Sequence, residues 1–100
     1  MSTMEAYKDE LAKYLHGFAA NIRRLRSREQ DLSQEALSFT TRLHRTEIGK
    51  LEQGLVEPRL TTLVILADAL NVTLDELVAG LPVPRERKPS PQAQRRQLES

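Results

Sequence analysis

The stretch from Ser33 to Gly54 constrains this chain more than any other, because it holds two helix starts and a helix stop with almost no chain between the two helices. Asp31 and Ser33 are both helix-start residues, and a Ser33 side chain at the cap would accept a hydrogen bond from a free N–H of the first turn. The helix that follows should run to about Thr40 and turn Ala36 and Leu37 inward. A second helical pattern begins at His44 and covers Arg45 to Gln53, with Ile48 and Leu51 inward and Arg45, Thr46, Glu47 and Lys50 outward. Gly54 then ends it, as glycine commonly does in the left-handed position past a helix. The connection is a few residues long, so the segment reads as helix, tight turn, helix.

Helical patterns flank this pair on both sides. From Glu5 to Arg28 the apolar residues Tyr7, Leu11, Leu15, Phe18, Ile22 and Leu25 recur three or four apart, as one stripe of an amphipathic helix. Gly17 interrupts that stripe at a cost of about 1 kcal/mol relative to alanine. Residues 1–14 are therefore expected to form a looser extension of the first helix or a separate turn, with 15–81 as the folded domain. After a loop from Leu55 to Arg59, Leu60 to Leu70 is the most apolar pattern, and Leu63, Leu66 and Leu70 suit the centre of a core. Thr73 and Glu76 have the spacing of a reciprocal capping box and introduce a last helix, Leu74 to Ala79, with Leu74 and Leu77 entering the core. Gly80 and Pro82 stop it. Beyond lie Pro84, Pro89 and Pro91 among Arg, Lys, Ser and Gln, a composition unable to bury enough apolar surface to offset its ordering entropy. A flexible basic tail over 82–100 is expected, behind an all-α, compact five-helix bundle.

Composition removes several classes of function. With no cysteine, neither a disulfide framework nor a thiolate metal site is possible, and His16 and His44 are too few to hold a metal alone. No cofactor or metal is expected. The longest apolar run falls far short of the roughly 18 residues a membrane span requires, so a cytoplasmic protein with no membrane partner is expected. No nucleophile, base and orienting group fall at a recognisable spacing, and there is no glycine-rich phosphate loop, which argues against an enzyme. The formal net charge is +1, so the chain does not coat nucleic acid by charge alone. Its basic residues are gathered toward the middle, however, with Arg23, Arg24, Arg26 and Arg28 in one stretch and Arg42, Arg45 and Lys50 in another.

A helix, a tight turn and a helix inside a five-helix domain is a known way to present one helix to the DNA major groove. The residues sharpen this. Leu32-Ser33-Gln34-Glu35-Ala36-Leu37, followed at matching distance by His44-Arg45-Thr46-Glu47-Ile48-Gly49-Lys50-Leu51-Glu52-Gln53-Gly54, resembles the phage-repressor-like helix-turn-helix family of Xre or Cro/C1 type. The resemblance continues through Glu57-Pro58 and Leu63 to Leu77, and covers roughly Phe18 to Ala79. It implies a lambda-repressor-like bundle and a transcriptional regulator, expected to be a dimeric repressor on a palindromic operator. Two positions depart from the family pattern. Arg42 stands where a turn glycine is common, and Thr41 where a small or apolar residue is common, so the turn must tolerate strain or use another geometry.

The resemblance implies Arg45, Thr46, Glu47 and Lys50 as base readers, and the residue types suit the task. Arginine gives two hydrogen bonds to guanine, lysine donates to the same acceptors, threonine offers a methyl to thymine, and a carboxylate accepts from cytosine. Glu47 has a second reading, as a capping acid turned back toward His44. Gln34 matches the family position that bonds a DNA phosphate, aided by the free N–H groups of its helix end. Arg42, Arg59 and His44 are further phosphate candidates, and His44 also suits a plain helix cap. For Arg23, Arg24, Arg26 and Arg28 the simpler reading is a polar helix face. Val78 and Leu81 are the apolar residues left over for a homodimer interface; they could equally cover the first helix, and Tyr7, Leu11 and Tyr14 compete for either role. One hundred residues leave no room for a ligand-sensing domain, so control is expected from a protein partner, proteolysis, concentration or the tail. The rival function is a protein-interaction module on the same fold, since fold does not fix function.

Overall fold

Three side chains open three of the helices, and they set the frame of the molecule. In the computed structural model, which describes residues 3–28 and 32–83, Ser33 Oγ accepts from the Ala36 amide at 3.0 Å and starts α2, Gln34–Thr41. The Nδ1 of His44 accepts from the Thr46 amide at 3.0 Å and starts α3, Arg45–Glu52. Thr73 Oγ1 accepts from the Glu76 amide at 3.2 Å and starts α5, Leu74–Leu77. Each replaces one of the hydrogen bonds that the first turn of a helix lacks. The remaining helices are α1, Thr3–Arg28, and α4, Leu60–Leu70; the described residues contain no strand.

The core is one cluster. Phe18, Ile22 and Leu25 of α1, Leu37 of α2, Ile48 and Leu51 of α3, Leu66, Ala67 and Leu70 of α4 and Leu77 of α5 are all buried together. The helix pair α2 and α3 packs on itself; α1 supports α3, while α4 supports α2. α5 closes the bundle between α1 and α4. Asn21 fastens that closure by donating from Nδ2 to the carbonyls of Leu77 and Ala79, both at 2.9 Å.

Several sequence expectations need correction. Gly17 does not interrupt α1, which is one helix of 26 residues. A side chain at position 17 would stand 2.6 Å from Leu81 Cδ2, so the glycine serves a close approach and its helix cost is offset by packing. Leu81 accordingly lies across α1 and packs against the core. α2 runs one residue past Thr40, α3 stops one short of Gln53, and α5 ends at Leu77 instead of Ala79. Leu74 is 41% exposed and outside the core, because a single turn of helix can turn only Leu77 inward. Leu63 is only partly buried. The capping box is half made: Glu76 sends its carboxylate to Arg28 at 3.6 Å. The expected tail falls largely on residues 84–100, outside the described residues.

The turn between α2 and α3 shows how the two departures are accommodated. Arg42 adopts the left-handed conformation at φ 63, exposed to solvent, and its amide donates to Ser38 O. Thr41 is buried, but its hydroxyl donates to Leu37 O at 2.7 Å and accepts from the Leu43 amide at 3.1 Å. A polar side chain is therefore tolerated there because both its hydrogen-bonding functions are used.

Candidate functional site

The outward face of α3 follows from its inward one. Ile48, Leu51 and Glu52 are buried, which at helical spacing leaves Arg45, Thr46, Glu47 and Lys50 pointing away from the core, and all four are exposed. Thr46, Glu47 and Lys50 make no side-chain hydrogen bond or ion pair with any described residue. Glu47 makes no hydrogen bond back to the His44 amide; the cap is made by the His44 imidazole alone, which accepts from the Thr46 amide. Arg45 differs from the other three, since its Nη1 lies 2.9 Å from Oε1 of Glu35 in α2.

A concave surface runs beside this face. His44, Thr46, Glu47 and Lys50 form one wall, and Pro58, Arg59 and Thr61 at the entry of α4 form the other. Arg59 is exposed and caps α4 by backbone position only, so its guanidinium is not committed to the helix end. Arg42 and His44 line a neighbouring depression with Phe39, which is 88% exposed. Gln34 is the first residue of α2 and half-buried, apart from that concavity. The fold thus gathers His44, Thr46, Glu47, Lys50 and Arg59 around one surface, with Arg42 at its edge. Val78 and Leu81 line a separate apolar cleft with Leu11, Tyr14 and Leu63. Val78 is 40% exposed, while Leu81 is held against Gly17.

The arrangement offers donors, acceptors and a methyl group on an exposed helix face, flanked by uncommitted cations. Such a surface is chemically able to pair with a hydrogen-bonding pattern beside an anionic chain. Among the described residues no group of His, Cys, Asp or Glu could hold a metal ion, and no helix is long and apolar enough to cross a membrane.

One feature that supports the site escapes a reading by residue type. Glu52, the last residue of α3, is 2% exposed, and its Oε1 takes Arg26 Nε at 2.9 Å and Nη2 at 2.8 Å. Arg26 Nη1 also donates to Leu32 O at 3.2 Å, just ahead of the α2 cap. Arg23 donates to the Glu52 carbonyl, and Oε2 of Glu52 is buried without a partner. Arg26 is therefore no part of a solvated face; one guanidinium ties α1 to both helices of the pair. The signal lay in spacing, because Arg26 stands four residues after buried Ile22 and Glu52 four after buried Ile48, both inward positions.

Comparison with known proteins matches the same region. A helix-turn-helix family model fits residues 22–77. The control protein C.SmaI of Serratia marcescens is 43% identical over 60 residues, covering 60% of this chain and 70% of that protein. The control protein C.BamHI of Bacillus amyloliquefaciens is 33% identical over 61 residues, 61% of this chain and 75% of that protein. The crystal structure of the restriction-modification controller protein C.AhdI from Aeromonas hydrophila superposes with a TM-score of 0.60 at 36% identity, over 63% of this chain and 94% of that one.

Proposed function

Because the chain belongs to the helix-turn-helix family of DNA-binding transcription regulators of Xre or Cro/C1 type, we propose that it is a controller of restriction-modification genes that binds a palindromic operator as a two-fold dimer. The observation that carries this reading is the α3 face, where four polar side chains stand exposed at one helical spacing within the region the family model matches. Arg45 and Lys50 donate to guanine, Thr46 contacts thymine through its methyl, and Glu47 accepts from cytosine. Gln34, at the positive end of α2, and Arg59, Arg42 and His44 around α3 hold the phosphate backbone and set the register.

Each protomer places one α3 in the major groove, with half-sites about 34 Å apart. Val78 is the interface residue that exposure favours; Leu74, also exposed, extends the same apolar end of the bundle. Leu81 contributes less, being committed to α1. Bound at its operator in the cytoplasm, the dimer occludes polymerase and represses. The similarity to the restriction-modification controller protein C.AhdI supports the choice of target genes.

Selection of bound duplexes from a random pool tests DNA reading, palindromy and half-site spacing together. The expected outcome is a single inverted repeat. Arg45→Ala with Lys50→Ala should weaken binding to that duplex by roughly 100-fold or more, at 1–3 kcal/mol for each good base contact. A pool with no preferred sequence, or a double variant that binds as the wild type does, would sink the reading.

A further inference from the structure

Of the four candidate base readers on α3, Arg45 alone enters the interface already engaged. Its Nη1 faces Oε1 of Glu35 at 2.9 Å, with side chains 65% and 70% exposed. Glu35 is the second residue of α2 and Arg45 the first of α3, so the pair bridges the turn that sets one helix against the other. We infer that Glu35 is a specificity-determining residue which acts through Arg45, holding its guanidinium so that it serves a guanine edge but not a phosphate. The inference rests on the proposed reading of α3 as the base-contacting helix.

Guanine and phosphate compete unequally for Arg45. A guanidinium carries five N–H groups in one plane, and engaging Nη1 leaves the Nη2 and Nε edge free. That edge is enough for the paired hydrogen bonds to guanine O6 and N7, so Glu35 and guanine share Arg45. An exposed ion pair is weak, and it does not prevent the side chain from turning to meet a base. A phosphate, in contrast, is a second anion, and it must approach both the cation and the carboxylate that already holds it. Nonspecific binding consists almost wholly of such phosphate contacts. Glu35 thus penalises the nonspecific complex more than the specific one, and its positioning of Arg45 appears as discrimination. Both side chains are more than half exposed, so removing the pair leaves the fold intact.

The test compares wild type with Glu35→Gln on two probes across a salt series. One probe is the duplex that the wild type selects from a random pool; the other is a scrambled duplex of equal length and composition. The variant should bind the scrambled duplex roughly 3- to 10-fold more tightly, with its log–log salt slope steeper by about two units as Arg45 of each protomer gains a phosphate. Affinity for the selected duplex should stay within about 2-fold, because the guanine contact needs no carboxylate. In an Arg45→Ala background, Glu35→Gln should change neither probe. An unchanged ratio between the probes, or the same change in both backgrounds, overturns the role given to Glu35 while leaving DNA reading in place. Failure of the wild type to select any duplex overturns the DNA reading itself, and this role with it.

Discussion

At the C-terminal end of α3, Glu52 is 2% exposed and holds Arg26 at 2.8 Å, whereas at the N-terminal end Arg45 holds Glu35 at 2.9 Å with both side chains more than half exposed. The distances are almost equal and the consequences are opposite. Near water the charges are screened and solvated, so the exposed pair is worth at most about 1 kcal/mol and can exchange partners. At the inner end the Glu52 carboxylate has lost its hydration, so Arg26 cannot leave without stranding it. The inner end of α3 is thereby an anchor, which fixes the helix against α1, and the outer end is a set of side chains free to meet a ligand. A recognition surface needs both, since chemistry offered on a loosely held helix would lose its geometry.

The difference between the two ends is open to direct attack. The largest effect is expected from Arg26→Ala, which strands the buried Glu52 carboxylate and should lower unfolding free energy by about 3–5 kcal/mol in urea. A loss below about 1 kcal/mol would show that the inner end is no anchor. Next comes Gly54→Ala. Gly54 has φ +72, and a Cβ there would stand 2.9 Å from His16 Nδ1 and 3.3 Å from both His16 N and Leu15 O. Backbone strain of 1–2 kcal/mol and crowding against α1 should together cost about 2 kcal/mol, read as a lower Tm. An unchanged Tm would mean that this end of α3 yields readily. The smallest effect belongs to the outer end, where Arg42 carries the same left-handed backbone in open solvent. Arg42→Gly should gain about 0.5 to 1 kcal/mol, the strain relieved less the added entropy of an unfolded glycine. A loss of stability would show that the Arg42 side chain itself holds the turn.

These two ends were not equally legible. The outer one is local: the Ser33 and His44 caps, and the exposure of Arg45, Thr46, Glu47 and Lys50, depend on residues a few positions apart. The inner one is not. Arg26 and Glu52 are 26 residues apart, and each taken singly is an ordinary charged residue in a polar stretch. The role of Gly17 is hidden from the sequence for the same reason, since what it makes room for, Leu81, comes from the far end of the domain. Leu74 looked inward by its spacing, but a helix of one turn has only one buried position to give, and Leu77 takes it.

What the sequence determined alone was the set of helices, the faces of α3 and the family to which the pair of short helices belongs. Those rest on capping chemistry, helical period and residue order, all of which act over a single turn or two. The tertiary structure alone decided which charge would be buried, which arginine would be occupied and which apolar residues would stay uncovered. Burial is a property of what arrives from elsewhere in the chain. The sequence placed Arg45 on the outer face of α3, and only the packing of α2 beside it brought Glu35 within reach.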